Sequence, residues 1–219
     1  MAATGSTAQA EAGTPVSPVR QRILAAADAR FYTEGIRAVS ADRIIADAEA
    51  SKVTFYRHFP PKADLVVAYL RGRSDWERGA VGQMRAGHPG DPGATLVAVA
   101  EAIVDAGCTE GFRGCPFINA MAEYADPAHP VRQVVTEHRA WFAGLLDELL
   151  GELGVAERAD AVDQLVMLRD GAMVAGYLGT PSAPRAGTLV DAGRAVIEAA
   201  RRTADAPARG RHHNGWSLR

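Results

Sequence analysis

The stretch Ser40-Ala-Asp-Arg-Ile-Ile-Ala-Asp-Ala-Glu-Ala-Ser-Lys-Val-Thr-Phe-Tyr-Arg-His-Phe59 decides the fold. Ser40 and Ser51 are good N-caps, because a serine hydroxyl accepts a backbone N–H that the first helical turn leaves unpaired. Each opens a short helix, Ala41–Ala48 and Lys52 to about His58, with a tight turn at Glu49-Ala50-Ser51. Asp42 sits in the first turn of the first helix, where the dipole favours a carboxylate. Ile44 and Ile45 give that helix an apolar side. In the second, Phe55 and Phe59 stand four apart, on one face, and can anchor it to a core. That leaves Lys52, Thr54, Tyr56, Arg57 and His58 to point outward, a dense set of donors for phosphates and base edges, with Val53 able to meet a thymine methyl. Two short helices joined this way have the dimensions of a helix-turn-helix. An idle, solvated helix is the competing reading, and aromatic and hydroxyl groups set beside basic ones argue against it.

The flanks complete a three-helix unit. Val19, Ile23, Leu24, Ala27 and Phe31 recur at helical spacing, and Gly35 ends that helix as a C′ residue. Pro60-Pro61 stops the recognition helix. A fourth helix runs from Pro61–Lys62 to about Arg85 and buries Leu65, Val66, Tyr69 and Leu70. Beyond the Gly87–Gly93 breakers, further helices are expected at 94–106, 117–124, 131–153, 156–178 and 188–203. The fold class is therefore all-α, with about nine helices: a disordered arm at 1–18, a helix-turn-helix domain at 19–72, a larger helical domain at 73–204 and a flexible tail at 205–219. Alanine, a strong helix former and a poor strand former, fills 43 of 219 positions and agrees with this.

Charge separates the two domains. The formal net charge is −2, which taken whole does not look like a nucleic-acid binder, usually basic. Residues 18–73, however, carry a net +4 and residues 74–204 a net −7. A basic unit drawn to DNA and an acidic unit repelled by it fit this split; a chance division of surface charge is the alternative. Both lysines of the chain, Lys52 and Lys62, bracket the recognition helix, and a compact ammonium suits a phosphate. No run of apolar residues is long enough to cross a membrane. The absence of an apolar leader segment and the presence of two cysteines, Cys108 and Cys115, point to a reducing, cytoplasmic compartment. No phosphate-binding glycine loop, metal motif or nucleophile elbow is present, so neither an enzyme nor a cofactor or metal site is expected.

Residues 23–65 resemble the DNA-binding domain of the tetracycline-repressor (TetR) family. The resemblance is carried by Ile23-Leu24…Ala27, Phe31…Glu34-Gly35, Ser40…Ile44-Ile45-Ala46 and Ser51…Thr54-Phe55-Tyr56…Phe59…Lys62…Leu65. It implies a homodimer on double-stranded operator DNA, and repression relieved when a small-molecule inducer enters a helical C-terminal domain. By position it implies phosphate contacts from Tyr56, His58 and Lys62, base-proximal roles for Lys52, Val53 and Thr54, and a backbone contact from Ser40. The family's turn usually reads Ala-Gly-Val-Ser; here Glu49 replaces the glycine, at a cost of roughly 1 kcal/mol if its φ is positive. Arg113–Ala120 is similar to a subgroup common in actinobacteria.

In the second domain Phe112, Phe117, Met121, Tyr124, Trp141, Phe142, Met173 and Tyr177 are candidates to line a ligand cavity, against the plainer role of core packing. His138 lies on an apolar stripe and reads as a hydrogen-bonded core histidine. Small residues on the last two helices (Gly171, Ala172, Ala175 and Gly176; Ala192, Ala195, Ala199 and Ala200) suit either a dimer bundle or close packing within the chain. The fourth helix is expected to be the sole mechanical link between the domains.

Overall fold

Proline and glycine set the ends of α1 (Pro18–Glu34): Pro18 opens it, and Gly35, at φ 93°, closes it by donating its N–H to the Phe31 carbonyl. In the computed structural model, which describes residues 17–179 and 186–205, every described element is helical. After α1 come α2 (Ala41–Asp47), α3 (Lys52–His58) and the long α4 (Lys62–Gly87). The remaining described helices are α5 (Pro92–Cys108), α6 (Pro116–Glu123), α7 (Pro130–Glu152), α8 (Ala159–Leu178) and α9 (Ala186–Asp205). The expected arm at 1–18 lies outside the described residues up to 16, and the tail lies outside them from 206. No described helix is long and apolar enough to cross a membrane.

One apolar core runs without a break through both halves. Ile23, Phe31, Ile44, Phe55 and Leu65 belong to the same buried cluster as Phe117, Val131, Val135 and Met173. A second cluster, built on Leu146, Leu150 and Val162, joins α7 to α8. The expectation that α4 alone joins the two halves therefore needs correction. The segment leading into α6 also docks on α1. The Tyr32 hydroxyl donates to the Gly114 carbonyl at 3.1 Å and accepts the Arg113 N–H at 3.0 Å. Arg113 donates to the Thr33 carbonyl. The Glu123 carboxylate, at the end of α6, accepts the N–H groups of Ile36 and Arg37 at 2.9 and 2.7 Å.

The small residues of α8 are spent largely inside the chain. Ala172 is buried, and a Cβ placed on Gly176 would stand 3.0 Å from the Gly107 Cα and 3.2 Å from the Phe112 ring. The bare backbones of α5 and α8 thus touch where α5 ends. Gly176→Ala raises helix propensity by about 1 kcal/mol, yet the atom it meets is backbone and yields little. The expected outcome is a net loss of roughly 1–2 kcal/mol, read as a lowered thermal midpoint; a raised midpoint would show that α5 and α8 are loosely packed there.

Candidate nucleic-acid interface and ligand cavity

The second helix of the motif is seven residues long and buries one face. Phe55 is fully buried and Phe59 nearly so, their rings 6.3 Å apart. Both serine caps form: Ser40 accepts the Arg43 N–H at 3.3 Å, and Ser51 accepts the Thr54 N–H at 3.1 Å. Opposite the phenylalanines, Lys52, Val53, Tyr56 and Arg57 are exposed, Val53 at 79%. The Ser51 hydroxyl donates to Thr54 Oγ1 at 2.9 Å, which leaves the Thr54 O–H free to donate outward. Lys52 pairs with Asp42 of α2 at 2.9 Å, and this hydrogen bond holds its ammonium above the usual lysine range. Both partners are well exposed, so the pair is weak and a phosphate can replace the carboxylate. Arg57 makes no ion pair among the described residues, whereas Arg30, Arg43 and Arg73 are paired to Asp47, Glu34 and Asp28.

Two candidate residues sit deeper than the sequence reading placed them. His58 is half-buried, with its Nε2 enclosed and without a partner among the described residues. Lys62 turns inward: its Nζ donates to the carbonyls of Ile36 and Val39 at 2.5 and 2.6 Å. Burial holds that ammonium below the usual lysine range. The reason is local. The 35–40 turn leaves carbonyls without helical partners, and the first residue of α4 passes beneath them. Lys62→Met retains the aliphatic stem and removes both donors, so stability should fall by about 1–3 kcal/mol, measured by thermal or urea unfolding; an unchanged midpoint would mean that water replaces the ammonium at no cost.

Glu49 occupies the turn between the two helices at φ 48°, the one described non-glycine residue with positive φ. The left-handed conformation costs a residue with a Cβ roughly 1–2 kcal/mol. Glu49→Gly should raise the thermal midpoint by the equivalent of about 0.5–1 kcal/mol once glycine's greater unfolded-state entropy is deducted. A lower midpoint would place the turn's stability in the Glu49 side chain instead.

A cavity of about 590 Å³ lies among α5, α7, α8 and α9. Leu96, Val99, Leu146, Leu165, Leu168 and Ile197 form much of its wall, and Arg169 and Glu101 reach its edge. Of the eight side chains expected at a ligand cavity, Phe142 lines it. The others are used elsewhere. Phe117 and Met173 are buried in the core shared with the helix-turn-helix, and Phe112, Met121 and Tyr124 pack against it. Phe117 stacks on His138 at 3.6 Å, and His138 in turn meets Trp141. Tyr177 is 48% exposed. Ring size drew attention to these residues, but the large rings fill the junction between the halves, and the cavity wall is aliphatic. Aliphatic residues at helical spacing, Leu165 and Leu168 on α8 with Leu189 and Ile197 on α9, are the signal in the sequence. His138 is indeed a core histidine, with Nδ1 3.0 Å from Ser74 Oγ.

Comparison with known proteins places this geometry in context. Residues 23–69 match the family model for bacterial regulatory proteins of the TetR family. A TetR-family transcriptional regulator of Streptomyces coelicolor is 43% identical over 84% of this chain and 96% of its own, with a TM-score of 0.78. A TetR-type regulator of Streptomyces avermitilis is 25% identical over 81% of this chain and 99% of its own, with a TM-score of 0.68. The multidrug binding protein EbrR, solved in complex with malachite green, shares the fold at 23% identity and a TM-score of 0.63, over 83% of this chain and 99% of its own. No match was found among the curated proteins. With its capped helix-turn-helix, its nine described helices and a 43% identical relative matched over nearly its whole length, the chain belongs to the TetR family of DNA-binding transcriptional regulators.

Proposed function

We propose that the protein is a cytoplasmic repressor that binds a palindromic operator as a homodimer and lets go when a small apolar ligand enters the α5–α9 cavity. The observation that carries the reading is the outer face of α3. Lys52, Val53, Tyr56 and Arg57 stand clear of the core on a helix that Phe55 and Phe59 hold rigidly. Lys52, Val53 and Thr54 lie in its first turn, the part of a recognition helix that reaches base edges; Ser40, Ser51, Tyr56 and Arg57 flank it as phosphate contacts. The test is selection of bound duplexes from a random-sequence pool by the pure protein. An inverted repeat with half-sites about one helical turn apart is expected. On that duplex, Val53→Ala should relax preference at one base position, whereas Arg57→Ala should weaken all sequences alike and lower the salt slope by about 1 per half-site. Recovery of no enriched sequence would overturn the reading.

Dimerisation is supported by the free side of α8. Met167, Val174 and Leu178 are 63%, 45% and 64% exposed, and with Gly171 they recur at i, i+4, i+7 and i+11. An apolar stripe of that kind is rarely left in water. Val174→Arg should convert a dimer of about twice 23.1 kDa into a monomer in light scattering and abolish cooperative operator binding. A variant that stays dimeric would move the interface elsewhere.

The ligand class follows from the cavity wall, which is mostly aliphatic with charged groups at its edge. Malachite green, the molecule bound in the EbrR complex, is a suitable first probe. A ligand that lowers operator affinity must itself be bound less tightly, by the same factor, in the presence of operator. Leu165→Trp should narrow the cavity and weaken the probe's effect on DNA while leaving operator affinity intact; a full response in this variant would place the ligand elsewhere.

A further inference from the structure

The turn between α1 and α2, residues 35–40, is held from two sides. Lys62 of α4 takes its carbonyls, at Ile36 and Val39. Glu123 of α6 takes its N–H groups, at Ile36 and Arg37, with one carboxylate oxygen on each. Two successive backbone N–H groups form a concavity suited to an anion, and charge-assisted hydrogen bonds of this kind are stronger than neutral ones. The Arg37 guanidinium folds back onto the Glu123 carbonyl, closing the contact from the other side. Ile36 is buried, so this turn has little freedom to shift by itself. It leads directly into Ser40, the cap of α2.

We propose that Glu123 is a positioning residue for DNA recognition: its carboxylate fixes the helix-turn-helix to α6, and this contact sets the angle at which α3 is presented. The inference rests on the DNA-binding reading above and adds to it a regulatory path separate from α4. Glu123 touches no part of the recognition helix and lies 86 residues beyond the nearer N–H that it holds, so its effect passes through the turn. The opposite end of α6 is anchored where the ligand-bearing helices meet. Gly114, just before α6, packs on Tyr177 of α8, and the Gly107–Gly176 contact between α5 and α8 is close by in the chain. Tyr32, through Gly114 and Arg113, ties that same lead-in segment to α1. A ligand that separates α5 from α8 therefore displaces α6 at its start, and Glu123 transmits the displacement at its end.

The proposal predicts that loss of the clamp acts as a partial inducer. In a two-state equilibrium, removing a contact that favours the operator-binding state lowers operator affinity without removing any DNA contact. Full-length Glu123→Ala, Glu123→Gln and Tyr32→Phe proteins are compared with the parent in two measurements: amide hydrogen exchange, and affinity for the selected duplex over a range of salt concentrations. In Glu123→Ala the Ile36 and Arg37 amides should exchange at least tenfold faster, and affinity should fall at least fivefold with an unchanged salt slope. Glu123→Gln, which keeps one acceptor oxygen, should fall between Glu123→Ala and the parent. Tyr32→Phe removes a single hydroxyl from the neighbouring contact and should lower affinity in the same way; Glu123→Gln decides the matter if Glu123→Ala does not fold. Parental affinity in the folded variants, or a loss accompanied by a reduced salt slope, overturns the positioning role. A selection that returns no duplex overturns both readings.

Discussion

The pair Phe55 and Phe59 governs the DNA-binding half. A helix of seven residues has room for one buried face, and these two rings occupy it. Each contributes on the order of 2–3 kcal/mol of burial, far more than so short a helix can supply from its own hydrogen bonds. Everything polar on the helix is thereby sent to the other side. The caps at Ser40 and Ser51 then fix where each helix starts, and the left-handed Glu49 fixes the turn between them. The interface is thus a consequence of core packing: α3 is held because its inner face is apolar, and it is available for binding because, among the described residues, its outer face makes only the exposed Lys52–Asp42 pair.

The same economy applies at the junction of the halves. The core passes from Phe31 and Leu70 to Phe117 and Val135 without interruption. Large rings are concentrated here, and they make the junction stiff. The far end of the regulatory helices differs: its walls are leucine, valine and isoleucine around an open volume. A stiff junction next to a hollow end is an arrangement in which a change at the hollow end is carried along helices and not absorbed. Charge follows the division. Several arginines of the first half are neutralised by neighbouring carboxylates, so the basic excess is expressed at a few sites such as Arg57.

Local signals in the sequence were read correctly where the cause is local. Gly35 stops α1, and Ser40 and Ser51 cap α2 and α3; helix ends fall within about three residues of their expected places. Signals failed where a residue's partner is distant in the chain. Lys62 resembled a phosphate ligand, but its carbonyl partners are 23 and 26 residues back. Glu123 carries no signal of its own in the sequence, and nothing near it announces Ile36 and Arg37. The cavity wall differs from the expected one because size was its marker: Phe117 and Met173 are large because the junction is tightly filled, whereas a cavity is recognised by what its lining leaves empty. Gly176 was ambiguous for a related reason, since a small residue permits close approach without naming the helix that approaches.

The central claim is that the outer face of α3 meets DNA in two symmetric copies. It is tested most directly by attaching an iron–EDTA cleavage reagent to a cysteine at position 53, in a Cys108→Ser background, and mapping the cuts on the selected duplex. Val53 is the most exposed of the large apolar side chains among the described residues, and Cys108 is the exposed native thiol. The account predicts two focused clusters of cleavage, related by a two-fold axis and about 34–36 Å apart or a small distance more. Cleavage spread evenly along the duplex, or confined to a single cluster, would contradict it.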